Sequence, residues 1–160
     1  MSRSRFLILS AWILHASAWF LPAVTGILGG ETDTLPGWFA FFVSLRASVP
    51  GGDRLFDGWH VILPVLSSLS TILFVAASPW VVLRGSRRLQ LVSAWSAIVA
   101  FVMNSHWYVL NEADSWWSGL GVGYFLWWFS FGVLAIGLFA LTTRKEFPTS
   151  LAFPQPRLQG

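Results

Sequence analysis

The chain has 160 residues, of which 55% are hydrophobic and 11% are charged, and its mean hydropathy is +0.63. A soluble domain carries about 25% charged residues, so this composition predicts a membrane protein. The formal net charge of +3 does not indicate nucleic-acid binding, because the basic residues lie beside apolar runs rather than on one water-facing surface. The lack of cysteine excludes disulfides, thiolate zinc sites and cysteine-held iron–sulfur clusters.

Four apolar runs reach the roughly 20 residues that a helix needs to cross hydrocarbon. They cover residues 6–29, 59–83, 89–110 and 117–141. The first run also resembles a secretory signal peptide, since Arg3 and Arg5 precede an apolar core that ends in the small residues 16–18. Because apolar sequence continues beyond that point, we expect the segment to be retained as a membrane span.

The basic residues beside these runs predict the orientation of the chain in the membrane. Eight of the ten Lys and Arg residues fall on one side: Arg3, Arg5, Arg84, Arg87, Arg88, Arg144, Lys145 and Arg157. Cytoplasmic loops are enriched in Lys and Arg, so both termini are predicted to be cytoplasmic, including the tail 142–160. Arg46 and Arg54 fall on the outer side, where six of the seven acidic residues also lie.

The first outer loop, residues 30–58, contains a short helical pattern. Four apolar residues recur there at the spacing of one helical face: Trp38, Phe41, Phe42 and Leu45. The pattern is too short to span, so it predicts an amphipathic helix in the outer membrane interface, with re-entry into the membrane as the alternative. The predicted fold class is therefore all-α: a single-domain integral membrane four-helix bundle with one interfacial helix.

Small and polar residues follow one face of each predicted span. This favours close packing, because lipid offers no hydrophobic reward for helix association. His15 lies on this face of the first span, close to the membrane midplane, and an ionisable side chain at that depth is a candidate functional residue. The residues expected at its level on the other spans are Thr71, Ser96 or Ala97, and Ser130. His15 either hydrogen-bonds a hydroxyl group as part of the packing, or serves as a proton relay or ligand.

Two further histidines, His60 and His106, lie in a polar cluster near the outer ends of the spans. One hypothesis is a haem held between helices, with His15, His60 and His106 as candidate cofactor-binding residues. His60 and His106 share a similar depth, but His106 lies about 200° around its helix from Asn104 and so points away from the polar face. The sequence has no close histidine spacing of the kind that holds zinc, and we predict neither a metal site nor catalytic residues.

Four short motifs carry a resemblance to known sequences: residues 18–22 (Ala-Trp-Phe-Leu-Pro), 36–41 (Pro-Gly-Trp-Phe-Ala-Phe), 77–79 (Ala-Ser-Pro) and 123–127 (Gly-Tyr-Phe-Leu-Trp). Through them the chain resembles, over most of its length, a group of small four-span bacterial inner-membrane proteins. That group tends to have Ala-Asn-Pro where this chain has Ala-Ser-Pro. The resemblance implies a multi-pass protein of the bacterial plasma membrane, and it implies no activity.

The leading hypothesis for function is a non-enzymatic accessory or structural subunit that packs against a larger membrane complex and requires no cofactor. Aromatic residues form 17% of the chain and offer rigid contact area. The predicted partner surface consists of Trp38, Phe41, Phe42, Trp127 and Trp128. The alternatives are a haem- or quinone-binding redox protein and a small oligomeric transporter, although the span cores carry no charged residue. The predicted partners are thus the lipid bilayer and either another membrane protein or further copies of this chain.

Overall fold

The computed structural model describes residues 2–28, 31–46, 59–108 and 117–143. Within these ranges the chain is mostly helical and also contains a three-stranded antiparallel sheet. The helices are α1 (Arg3–Phe20), α2 (Gly37–Arg46), α3 (Trp59–Arg84), α4 (Arg87–Asn104) and α5 (Val122–Thr142). The strands are β1 (Pro22–Leu28), β2 (Glu31–Pro36) and β3 (Trp117–Leu120). The second half of the predicted outer loop and nearly all of the predicted cytoplasmic tail lie outside the described residues.

The first helix is shorter than the sequence pattern predicted, because α1 ends at Phe20 and β1 follows. Pro22 accounts for the change. A proline disfavours helical geometry in the residue before it, and Leu21 has φ −93° and ψ 154°, which is an extended conformation. β1 also contains valine, threonine and isoleucine, which favour strands. The prediction of a helix over 6–29 was therefore wrong for residues 21–28.

The sheet has the strand order β2-β1-β3 and lies where α1 ends and α5 begins. Val24 in the central strand pairs with Leu35 on one side and with Leu120 on the other. β3 occupies the first residues of the predicted fourth span, where Gly119 and Gly121 are poor helix formers. The all-α fold class is corrected in this respect, because helices dominate but a small sheet covers one end of them.

The helix predicted in the outer loop is confirmed as α2, which has ten residues and follows β2 directly. Gly37 permits this junction, because a Cβ atom there would collide with the carbonyl oxygen of Ala18. The Gly37 N–H group also donates a hydrogen bond to the Leu21 carbonyl oxygen at 3.1 Å. Phe41 packs on Trp19 with ring centroids 5.4 Å apart. These contacts hold α2 against the end of α1, next to the sheet.

The four long helices pack side by side in alternating directions. Gly123, near the start of α5, lies against the end of α1, whereas Gly137, near the end of α5, lies against Ile8. α4 runs antiparallel to α5, and the two are joined by Phe101, which stacks on Trp128 with centroids 4.7 Å apart. α3 and α4 are consecutive and connected by a short turn. This arrangement gathers the starts of α1 and α4 and the ends of α3 and α5 at the end of the molecule opposite the sheet.

The interior changes character along its length. Toward the end opposite the sheet its largest buried side chains are apolar, namely Ile8, Phe74, Val81, Leu134 and Leu138, and the small polar side chains of Ser4, Ser78 and Thr142 are buried there as well. Nearer the sheet, α3 buries a run of hydroxyl groups: Ser67, Ser68, Ser70 and Thr71. Buried alanines on α1 and α4 let the helices approach closely, as expected where small residues drive packing. The small and polar faces predicted for the spans therefore include residues that the structure buries, among them His15, Thr71, Asn104 and Ser130.

Within the described residues, two helices are long and apolar enough to cross a membrane by length and composition. They are α3, over Ile62–Arg84, and α5, over Val122–Thr142. α1 and α4 are each 18 residues long and carry two arginines at their starts. By length and composition, α3 and α5 are therefore the candidate membrane spans among the described helices.

Candidate functional site

Five residues form what we term the His15 cluster, where α1, α3 and α5 meet: His15, Phe74, Trp127, Ser130 and Phe131. The imidazole is 3% exposed and stacks on the ring of Phe74, with centroids 4.0 Å apart and planes 10° from parallel. Phe131 meets the imidazole edge-on, with centroids 5.7 Å apart. The structure thus places His15 inside the helix packing, enclosed by aromatic rings.

The hydrogen bonds of Ser130 determine which nitrogen of His15 carries the hydrogen. The Ser130 hydroxyl donates to the Trp127 carbonyl oxygen at 2.5 Å, and a hydroxyl group has one hydrogen to donate. The Nδ1 atom of His15 lies 2.9 Å from the same hydroxyl oxygen, so Nδ1–H is the donor in that contact. In the neutral ring Nε2 is then an acceptor. It is buried and has no hydrogen-bond partner among the described residues.

His15 Nε2, Ser68 Oγ and His106 Nε2 are the buried side-chain polar atoms that have no hydrogen-bond partner among the described residues. An unpaired buried acceptor costs about 1–3 kcal/mol, so most buried polar groups have partners. Of the partners expected at the level of His15, Ser130 is confirmed. Thr71 instead accepts the indole N–H of Trp127 at 2.9 Å, and Ser96 is exposed. His15 is therefore held in place through Nδ1, while Nε2 is buried without a partner among the described residues.

A second polar group, the Asn104 cluster, lies nearer the sheet and contains Ser67, Ser70, Asn104, Trp107 and Tyr124. The Asn104 side chain is completely buried and fully bonded. Its Oδ1 accepts from Ser67 at 2.6 Å, and its Nδ2 donates to Ser70 at 3.1 Å and to a carbonyl one turn back at 2.8 Å. Tyr124 donates to the Asn104 carbonyl oxygen at 2.8 Å. The cluster therefore fastens α3 and α5 to α4.

The other two histidine candidates are His60 and His106. The Nδ1–H group of His106 donates to the Met103 carbonyl oxygen at 2.6 Å, and the ring lies beside Trp107 with centroids 4.8 Å apart. Its Nε2 atom is also buried without a partner in the described part of the chain. His60 belongs to α3, but its side chain lies outside the described residues. No group of three or more metal-binding side chains occurs among the residues that the structure describes.

The predicted partner surface separates into two parts. Trp127 and Trp128 direct their indole N–H groups inward, and that of Trp128 donates to the Phe101 carbonyl oxygen at 2.7 Å. These two tryptophans are half-buried and are used in the packing of this chain. Trp38 and Phe42 on α2 are different, since they are 43% and 54% exposed. The exposed part of the predicted surface is therefore on α2.

Tyr124 and Phe74 are among the residues of these clusters that the sequence pattern did not single out. Tyr124 carried a usable signal, because a tyrosine in an apolar run needs a partner for its hydroxyl group once it is buried. Phe74 carried none, since the chain has 14 phenylalanines and nothing local marks the one that stacks on a histidine.

The His15 cluster offers one lone-pair nitrogen, one hydroxyl group and several aromatic faces. Such a set can accept a hydrogen bond or provide a single axial ligand to a metal centre.

The chain matches no protein-family profile, and no curated protein sequence or solved structure is significantly similar to it. Function is therefore inferred from the geometry of this chain alone.

Proposed function

We propose that the chain is a four-span, non-enzymatic integral membrane protein that acts as an accessory or structural subunit of a larger membrane complex. One observation carries the proposal: the long helices bury hydroxyl, amide and imidazole side chains while they expose large apolar ones. The buried polar residues on these helices are Ser4, His15, Ser67, Ser68, Ser70, Thr71, Ser78, Asn104, Ser130 and Thr142. Hydrogen bonds inside and apolar groups outside are what a hydrocarbon solvent favours.

The exposed apolar side chains follow the outer side of all four long helices. Representative exposed fractions are 58% for Ile13 on α1, 61% for Leu73 on α3, 63% for Val99 on α4 and 60% for Ile136 on α5. Soluble monomers rarely expose continuous apolar patches of this extent. α1 and α4 therefore share the outward character of α3 and α5, which supports four spans rather than the two given by length and composition.

The orientation is testable because the natural sequence has no cysteine. We expect a cysteine replacing Arg87, exposed at the start of α4, to be protected from a membrane-impermeant maleimide in intact bacterial cells. A cysteine replacing Thr34, exposed on β2, should react, because the sheet lies at the opposite end of the helices. Both thiols should react after lysis. Reaction of the residue-87 thiol in intact cells would contradict cytoplasmic termini.

The surface most suited to a protein partner is the outer side of α2. Four apolar side chains on this short helix are between 36% and 54% exposed: Trp38, Phe39, Phe42 and Leu45. Edge-on contacts at 5.6 and 6.3 Å link Trp38 to the rings of Phe39 and Phe42. Aromatic side chains are enriched at the cores of protein interfaces, since they bury much area with little loss of side-chain freedom. Contact of α2 with the outer membrane interface is compatible with the same exposure.

The subunit proposal is tested by mass spectrometry of intact complexes extracted gently from the native membrane. We expect a stoichiometric companion protein, and we expect the double variant Trp38→Ala and Phe42→Ala to release it. Val99→Ala is the control, because it removes an exposed apolar side chain from the outward side of α4, away from α2. A lone chain or homo-oligomer carrying only lipid would contradict the subunit role.

A second candidate function, haem or quinone binding, is supported by the bare Nε2 atom of His15. The same spectra would then contain the mass of the cofactor, and His15→Phe should abolish it; His106→Phe tests the other described histidine whose Nε2 atom is buried without a partner. Phenylalanine preserves a ring that can stack on Phe74, so a structural role alone would be only mildly affected. A transport path through the interior of one chain receives no comparable support, since Ile8, Leu134 and Leu138 fill the described interior beyond the His15 cluster. The oligomeric transporter, with a path between copies, stays an alternative.

A further inference from the structure

Five exposed arginines occupy the end of the molecule opposite the sheet, and we refer to this surface as the arginine end: Arg3, Arg5, Arg84, Arg87 and Arg88. The acidic residues in the described ranges are Glu31 and Asp33, and both belong to β2 at the other end. Within the described part of the chain, the positive charge of the arginine end thus has no carboxylate nearby.

The placement of two of these arginines works against the electrostatics of their own helix. Arg87 and Arg88 are the first two residues of α4, and the first turn contains no acidic residue. The start of a helix carries partial positive charge, so acidic side chains or bound anions stabilise it and cations do not. Ser86 supplies an ordinary N-cap by accepting from the Leu89 N–H at 3.4 Å. An anion outside the helix would offset the repulsion between these arginines and the helix start.

The apolar neighbours of the arginine end indicate what kind of anion fits. On the last turn of α3, Leu83 is 81% exposed and Trp80 is 56% exposed. Arg84 directly follows Leu83 and lies one helical turn after Trp80. An exposed tryptophan and leucine beside guanidinium groups match the boundary between acyl chains and headgroups in a bilayer. A soluble phosphate would match the charge of this surface but would offer no apolar contact to these two side chains.

We propose that the arginine end binds an anionic phospholipid, with its phosphate on Arg84, Arg87 and Arg88 and its acyl chains along Trp80 and Leu83. The guanidinium group suits this role because it can donate two parallel hydrogen bonds to phosphate oxygens. This inference rests on the membrane-spanning topology proposed above, and it adds a specific lipid class to that topology.

The test uses the full chain, purified in a neutral detergent, with phosphatidylglycerol or phosphatidylcholine added and bound lipid counted by native mass spectrometry. The wild type should retain phosphatidylglycerol in preference. The triple variant Arg84→Gln, Arg87→Gln, Arg88→Gln should lower its affinity for this lipid on the order of a hundredfold, because each basic residue near an anionic surface contributes roughly a factor of five. The corresponding triple lysine variant keeps the charge but loses the paired guanidinium hydrogen bonds, so its affinity should fall between those of the wild type and the glutamine variant.

Arg46→Gln is the matched control, since it removes an arginine from the end of α2, at the sheet end of the molecule. It should leave phosphatidylglycerol binding unchanged. Equal retention of both lipids by the wild type, or full retention of phosphatidylglycerol by the glutamine variant, would overturn the lipid site. Displacement of the lipid by inorganic phosphate at an equal concentration would overturn it as well, because the ligand would then be a soluble phosphate.

Alkaline carbonate extraction of the native membranes distinguishes this failure from a failure of the topology. A chain that carbonate releases does not span the membrane, which contradicts the proposed function. A chain that stays in the membrane fraction but is indifferent to phosphatidylglycerol contradicts the lipid site alone.

Discussion

Replacement of Gly123 by alanine is expected to destabilise the protein by about 3 kcal/mol, the upper part of the range for overpacked sites. A Cβ atom at this position would lie 2.6 Å from the carbonyl oxygen of Leu21 and 2.9 Å from that of Pro22. Both oxygens belong to the backbone where α1 passes into β1, so neither can rotate away as a side-chain atom could. Thermal unfolding in detergent, followed by tryptophan fluorescence, measures the loss of stability.

Gly132→Ala is the matched control on the same helix. The nearest atoms to its new Cβ are carbons of the Phe101 ring at 3.4 Å, which is a side chain that can shift. Alanine is favoured over glycine in a helix by about 1 kcal/mol, so this variant should be as stable as the wild type or more stable. The same chemical change thus has opposite expected effects at two positions of α5. Equal stability of the two variants would show that α5 does not approach the α1–β1 junction this closely.

Asn104→Leu is expected to cost about 2 kcal/mol, because it removes three side-chain hydrogen bonds that average about 0.6 kcal/mol and reach about 1.7 kcal/mol each inside membrane proteins. Leucine has a similar size but accepts nothing from Ser67 and donates nothing to Ser70. Ser70 would keep the hydrogen bond that it donates to the Ser67 carbonyl oxygen, whereas the buried Ser67 hydroxyl group would lose its acceptor. The free energy of unfolding, measured with a denaturant in mixed micelles, reports this loss.

Ser96→Leu provides the control for this substitution. It makes the same kind of polar-to-leucine change on α4, but Ser96 is exposed on the outward side of the helix. A leucine facing lipid should leave stability unchanged or raise it slightly. If the Asn104 and Ser96 variants unfolded alike, the Asn104 cluster would not be what fastens α3 to α4.

Much of the helical framework followed from the sequence, because helix formation in apolar runs depends on local properties. Run length, helical spacing and the basic turn predicted α3, α4 and most of α5, and the spacing of Trp38 and Phe42 predicted α2. Counting residues inward from the charged ends also predicted that Ser130 lies at the depth of His15, and the two side chains are in contact. Depth along a helix is fixed by a constant rise per residue, so it can be read from the sequence.

The sequence by itself therefore determined that the chain is apolar, mostly helical and charged asymmetrically at its ends. Only the tertiary structure decided that β1 is the central strand of a sheet, because β1 pairs with the distant residues 117–120 of β3 as well as with the neighbouring strand β2. The tertiary structure also decided that Trp127 and Trp128 turn inward, since their indole N–H groups donate hydrogen bonds to neighbouring helices. The direction of a side chain around a helix axis depends on which helices pack beside it. That choice is made by long-range contacts, which local periodicity does not encode.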